Sequence, residues 1–167
     1  MPPHPVQYLL VENLAFVGVS TLFLGVSGYA WRHLEPFTLP KPLPEWFSLW
    51  FGSVQVLGGI VPLLVLGWGI WTSDALVLLI FVPYTILLAL QVAAESITLR
   101  WTASVIWVMV PYLYLPYRLW QLWEGWLWLD NSASWLGWLL VFEFVVWLLN
   151  YLLDLAQLPR LLRWPSA

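Results

Sequence analysis

Six Lys or Arg and nine Asp or Glu side chains are spread over 167 residues, and several fall inside stretches too apolar to meet water. Glu143, Trp147, Asn150 and Asp154 are spaced i, i+4, i+7, i+11, a single helix face, and Tyr84, Leu88, Gln91 and Glu95 repeat that spacing. Carboxylates, amides and aromatic rings held on one buried face can orient a ligand or carry a proton. A charge at mid-bilayer costs at least about 2.5–3.5 kcal/mol, so it persists only where it faces another polar group, water or a ligand. Counting about 1.5 Å per residue from the outer helix ends sets Glu143 level with Tyr84, Asn150 with Gln91, and Asp154 with Glu95. Two readings of these matched ladders stay open. They line a cavity that is polar along one wall, or Gln91 and Asn150 bond across a plain helix contact worth roughly 0.6 kcal/mol while Glu95 and Asp154 sit among the inner headgroups. Glu143 lies about 12 Å below the start of its helix by the same rise. It is therefore expected to be protonated, paired, or in contact with water or a ligand. Glu12, one turn into the first helix, lies at nearly the depth of Arg118, and the two are expected to pair and fix helix register.

Other chemistry is excluded by count. There is no cysteine, which removes disulfides, thiolate catalysis and thiolate metal sites. The two histidines, His4 and His33, argue against a His-built metal or haem centre. No nucleophile–base pair, phosphate loop or metal-ligand spacing is present, so enzymatic activity is not expected. Only 9% of residues are charged, against roughly 25% in soluble domains. With 62% hydrophobic residues and a mean hydropathy of +0.81, the composition is that of a membrane protein. A net charge of −3 speaks against nucleic-acid binding.

These residues must be positioned by membrane-spanning helices of about 20 apolar residues each. Five stretches qualify, at about residues 8–29, 46–71, 75–99, 101–128 and 135–155, giving an all-α, single-domain, five-helix bundle over residues 1–167. The amino terminus lacks a basic n-region, so the first stretch is expected to be retained. Arg32 and Lys41 in the first loop, Arg100 in the third, and Arg160 and Arg163 in the tail alternate with connectors that carry no basic residue. Lys and Arg are retained on the cytoplasmic side, which predicts an amino terminus outside and a carboxyl terminus in the cytoplasm. The fifteen tryptophans cluster near the expected helix ends as interfacial belts, with Trp107 and Trp147 left at mid-span. In Tyr117–Trp128, Arg118, Gln121 and Glu124 recur every three residues. That segment either crosses or lies along the outer interface, in which case the fourth span ends near Pro116. Pro62, Pro83, Pro111 and Pro116 each free a carbonyl one turn earlier. Gly52, Gly58, Gly59, Gly67 and Gly69 give the second helix a small-residue surface suited to close packing. The proline-rich loop Arg32–Glu45 is stiff and extended, either a lid or a connector.

Five spans, many tryptophans and this proline-rich loop together resemble the translocator protein family, the bacterial tryptophan-rich sensory proteins. The similarity is carried by Lys41-Pro42-Leu43-Pro44-Glu45-Trp46-Phe47-Ser48-Leu49-Trp50, by Tyr84-Thr85-Ile86-Leu87-Leu88-Ala89-Leu90-Gln91, and by Leu149-Asn150-Tyr151. Gln91 stands where the family has Asn, and the Pro-Tyr that usually precedes Leu-Asn-Tyr is missing. The resemblance implies a bundle whose cavity, capped by the first loop, binds tetrapyrroles or sterol-like lipids. It carries over to Trp46, Trp50, Tyr84, Gln91 and Asn150.

The sequence thus points to a multi-pass membrane protein that binds a hydrophobic, partly polar ligand through Trp46, Trp50, Tyr84, Gln91, Glu143, Trp147 and Asn150. A porphyrin or haem would suit as ligand, its rings on Trp107, Trp147 or the loop tryptophans and its carboxylates near Arg32, Lys41 or Arg100. Two rival classes remain: a non-catalytic subunit or assembly factor of a larger membrane complex, and a small proton-coupled carrier using Glu143. Homodimerisation is compatible with each.

Overall fold

The computed structural model describes residues 4–33, 45–100, 106–129 and 134–161, and every regular element among them is helical. Helix α1 is Pro5–Ala30. Helix α2 joins Glu45–Gln55 to Val61–Thr72 through a π turn at Val56–Ile60. Helices α3, α4 and α5 are Ala75–Arg100, Ile106–Leu127 and Trp135–Leu161. Four segments, Pro5–Ala30, Trp46–Thr72, Ala75–Arg100 and Trp135–Pro159, are long and apolar enough to cross a membrane. The fourth helix falls short of that standard because Arg118, Gln121 and Glu124 dilute its apolar content. Observed ends fall within about three residues of the expected ones for α1, α2 and α3; residues 101–105, where the fourth span was expected to begin, lie outside the described residues, and α5 runs past Leu155 with Pro159 in its last turn. Near a helix end a proline forfeits little, since the carbonyl it frees is close to the frayed end anyway.

Local signals explain the turns. Ser73 takes the left-handed conformation (φ 55°) after α2, and Asp74 Oδ1 accepts from the amides of Leu76 (3.0 Å) and Val77 (3.1 Å) to cap α3. Ser134 Oγ similarly accepts from Gly137 N at 3.2 Å at the start of α5. The α2–α3 hairpin closes tightly because Gly69 carries no side chain: a Cβ there would come within 2.5 Å of Val77. Gly52, Gly59 and Gly67 meet nothing comparable, so the small-residue surface serves close packing only at Gly58 and Gly69.

Helix α4 is central, packed against α1, α3 and α5, while α2 lies against α3 and α5. The outward surface of α1 is almost wholly apolar, with Val11, Leu14, Val19 and Leu22 exposed. Such a surface suits lipid rather than water. Segment Tyr117–Trp128 packs within the helical bundle. Arg118, Leu122, Glu124, Gly125 and Trp128 are buried in a helix that continues through Pro116. Their polar groups face neighbouring helices, which is how a helix of mixed composition stays inside the bundle. Loop residues 34–44, including the expected lid and Lys41, lie outside the described residues, as do residues 101–105.

Candidate ligand-binding site

The interior is organised by one missing hydrogen. Pro62 has no N–H, so the carbonyl of Gly58, one turn earlier, loses its helical partner. Tyr84 on α3 supplies the replacement, its hydroxyl donating to Gly58 O at 2.6 Å. Trp147 on α5 in turn donates its Nε1–H to the Tyr84 oxygen at 2.6 Å. Three helices are thereby joined by a relay in which every polar atom is used. The indole reaches that position because Gly58 leaves room: a Cβ there would fall within 2.5 Å of the Trp147 ring. The π turn around Gly58 is the kind of local irregularity that often accompanies functional sites.

Beside this satisfied relay stand two groups that are not satisfied. Arg118 on α4 is 1% exposed, and none of its three guanidinium nitrogens finds a hydrogen-bond acceptor. Glu143 on α5 is 0% exposed, and neither carboxylate oxygen receives a hydrogen bond. The guanidinium lies over the Trp147 ring at 4.1 Å and near the Tyr84 ring at 5.4 Å, a cation–π arrangement that offsets part of its desolvation. Glu143 and Glu95 are both its electrostatic neighbours. Glu95 is already engaged by Gln91 Nε2 at 2.8 Å. A guanidinium within electrostatic reach of two acids on two helices, bonded to neither, presents five unused N–H donors in a planar fork.

Most of the expected site residues gather along this seam. Tyr84, Trp147 and Glu143 form its middle with Arg118. Trp50 donates Nε1–H to Asn150 Oδ1 at 3.3 Å, and Asn150 Nδ2 reaches Asp154 at 3.3 Å. Gln91, 7% exposed, bonds within its own helix. Gln91 and Asn150, which one of the two readings of the ladders joined across a helix contact, are not bonded to each other: Gln91 Nε2 goes to Glu95 and Asn150 to Trp50 and Asp154. The partner of Asn150 comes from α2 instead. Trp46 stands outside the cluster, 51% exposed beside Phe47. Trp107 is partly buried next to Val108. Arg32 folds back on Tyr29, donating to its carbonyl at 2.7 Å and covering its ring.

The expected Glu12–Arg118 pair is also not formed. Glu12 Oε1 accepts from Trp120 Nε1 at 2.6 Å, while Asn13 Oδ1 accepts from Gln121 Nε2 at 2.9 Å and from the Tyr117 hydroxyl at 3.3 Å. Depth along the membrane matched Glu12 to Arg118, but their azimuths differ: α4 shows Tyr117, Trp120 and Gln121 to α1 and turns Arg118 toward Trp147. The link from α1 to α4 survives with different partners. Phe16 reinforces it by stacking on Tyr117 at 3.9 Å. A cleft of about 10 Å³ lined by Leu9, Ile80, Pro83, Gln121, Glu124 and Trp128 lies at this seam, room for about one water.

Sequence reasoning counted Arg118 as a register pin and missed it as the buried cation facing the aromatic seam. Its isolation inside an otherwise apolar span was the available signal. Among the described residues no group of three His, Cys, Asp or Glu side chains gathers to hold a metal ion. No family model, no curated protein and no solved structure matches the chain.

Proposed function

We propose that this chain is a five-span membrane protein that binds an apolar ligand carrying a polar group, received between its helices on the seam of Trp50, Tyr84, Gln91, Glu143, Trp147 and Asn150. The supporting observation is the pair of buried, unsatisfied groups, Arg118 and Glu143. An unbonded charge in a lipid-surrounded interior is expensive, and such residues are retained chiefly where a ligand, ion or proton uses them. The aromatic walls would fix affinity and the few polar groups orientation. Tetrapyrroles and sterol-like lipids are the ligand classes favoured by the resemblance to the translocator protein family. Trp147 fills the space left by Gly58 and lies against the guanidinium.

A porphyrin dicarboxylate titrated into the purified protein is expected to quench tryptophan fluorescence saturably at micromolar concentration, with less quenching in Trp147→Leu. Absence of saturable quenching by any porphyrin or sterol-like probe would remove this reading. A partner protein that co-purifies in stoichiometric amount in mild detergent would instead favour the subunit reading.

The five-span arrangement in this proposal places the amino terminus outside and the carboxyl terminus in the cytoplasm. Because the chain has no native thiol, single cysteines report side directly. Ser73→Cys and Ser134→Cys are expected to react with an impermeant maleimide in sealed cells, and Ser166→Cys only after permeabilisation. Reaction of Ser134→Cys and Ser166→Cys from the same side would mean an even number of crossings between them and the loss of this layout.

A further inference from the structure

We infer that Arg118 is the receptor for a carboxylate on the bound molecule, so that the site selects apolar acids over neutral molecules of the same shape. The inference rests on the ligand-binding reading above and names the chemical class it takes. Among the described basic side chains Arg118 is the buried one: Arg32 is spent on the Tyr29 carbonyl and ring, and Arg100 is exposed. All three of its nitrogens lack acceptors in a place where water does not supply them freely. A guanidinium offers parallel N–H donors at the spacing of two carboxylate oxygens, and the bidentate pair is stronger than bonds between neutral groups. Its central carbon lies over the Trp147 and Tyr84 rings, and its unused N–H groups are the part that an acid can engage.

The groups around the guanidinium define the competition. On α3 it faces Glu95, already held by Gln91, and Tyr84, whose hydroxyl is committed to Gly58; on α5 it faces Glu143. From α2 the neighbouring groups of the relay are uncharged. Glu143 is therefore the one unengaged carboxylate in electrostatic reach of Arg118. In its ionised form it is the internal competitor: an incoming acid takes the guanidinium, and the Glu143 carboxylate repels that acid. Replacing Glu143 by its neutral isostere removes that repulsion.

The test compares radiolabelled palmitate with hexadecanol, an acid and an alcohol of equal chain length, binding to the full chain in nanodiscs of zwitterionic lipid. Saturable binding is read against empty discs. The wild type is expected to bind palmitate at least about tenfold more tightly than hexadecanol. Arg118→Gln should abolish that preference while leaving hexadecanol binding in place, and Arg118→Lys should keep part of it. At alkaline pH, where the acid is ionised, Glu143→Gln should tighten palmitate several-fold without changing hexadecanol. This last variant retains the cation, so it tests the inference even if the Arg118 variants fail to fold, which circular dichroism would show. Equal binding of acid and alcohol by the wild type, or a Glu143→Gln variant that leaves palmitate unchanged or weakens it, overturns the inference while leaving the ligand-binding reading intact. Saturable binding of neither probe, together with no porphyrin quenching, removes both.

Discussion

Replacing Arg118 by Met and Glu143 by Leu together is expected to give a protein at least as stable as the wild type, whereas each replacement alone destabilises it. The physical reason is the asymmetry of buried charge. Removing one member leaves the other stranded in low dielectric, which in comparable buried clusters costs about 3–5 kcal/mol. Removing both substitutes well-packed apolar side chains for two desolvated groups, and such exchanges are often neutral or stabilising by about 1–4 kcal/mol. The prediction is sharper here because neither group gains a hydrogen bond in return for its burial. Met is unbranched and adaptable, so it can follow the path of the arginine stem beside Trp147. Denaturation of the four proteins of the cycle in mixed micelles measures the coupling. A double variant less stable than both singles would show that the two charges hold the bundle together, and their role as receptors would lose its main support. A stable double variant that no longer binds ligand would show that the charges are kept at the expense of stability.

The second large effect is a contrast between two adjacent glycines of the π turn. Gly58→Ala is expected to destabilise the bundle by about 1–3 kcal/mol or more, the usual cost of overpacking, because the added methyl would lie 2.5 Å from the Trp147 ring. The ring cannot yield without breaking its 2.6 Å bond to Tyr84, and Tyr84 in turn satisfies the carbonyl that Pro62 leaves free. Gly59→Ala meets nothing within 4 Å. It should be neutral or stabilising by up to about 0.5–1 kcal/mol, the gain from restricting an otherwise flexible helical residue. Adding Trp147→Leu to Gly58→Ala should recover part of the loss, since the obstacle and the methyl then no longer meet. Equal melting temperatures for the two single variants would contradict the packing described here, as would a Gly58→Ala defect that Trp147→Leu does not relieve.

Most of the candidate seam was legible before the fold was known, and the reason is periodicity. Tyr84, Gln91, Glu143, Trp147 and Asn150 each sit on a helical face that also carries the other polar residues of its helix, so shared orientation followed from spacing alone. Trp50 and Trp46 came from the family resemblance, and only Trp50 reaches the seam. Depth was equally legible, because rise per residue is constant. What depth leaves open is azimuth. Glu12 and Arg118 share a level yet face different neighbours, and one residue's step of about 100° around α4 is enough to exchange Tyr117 for Arg118. The prolines show the same division. That Pro62 frees the Gly58 carbonyl is a covalent fact, whereas its capture by Tyr84 depends on how α2 and α3 are rotated in their hairpin.

Composition and period by themselves therefore determined a helical chain with membrane-length apolar segments, and a shortlist of intramembrane polar residues. Both follow from local rules: the free energy of moving side chains into lipid, and the fixed geometry of the helix. Tertiary packing alone decided that α4 lies between α3 and α5, that Trp147 fills the space over Gly58, and that Arg118 turns away from Glu12 toward an aromatic wall and an unengaged Glu143. Those outcomes depend on interlocking shapes from four helices at once, and no single segment carries that information.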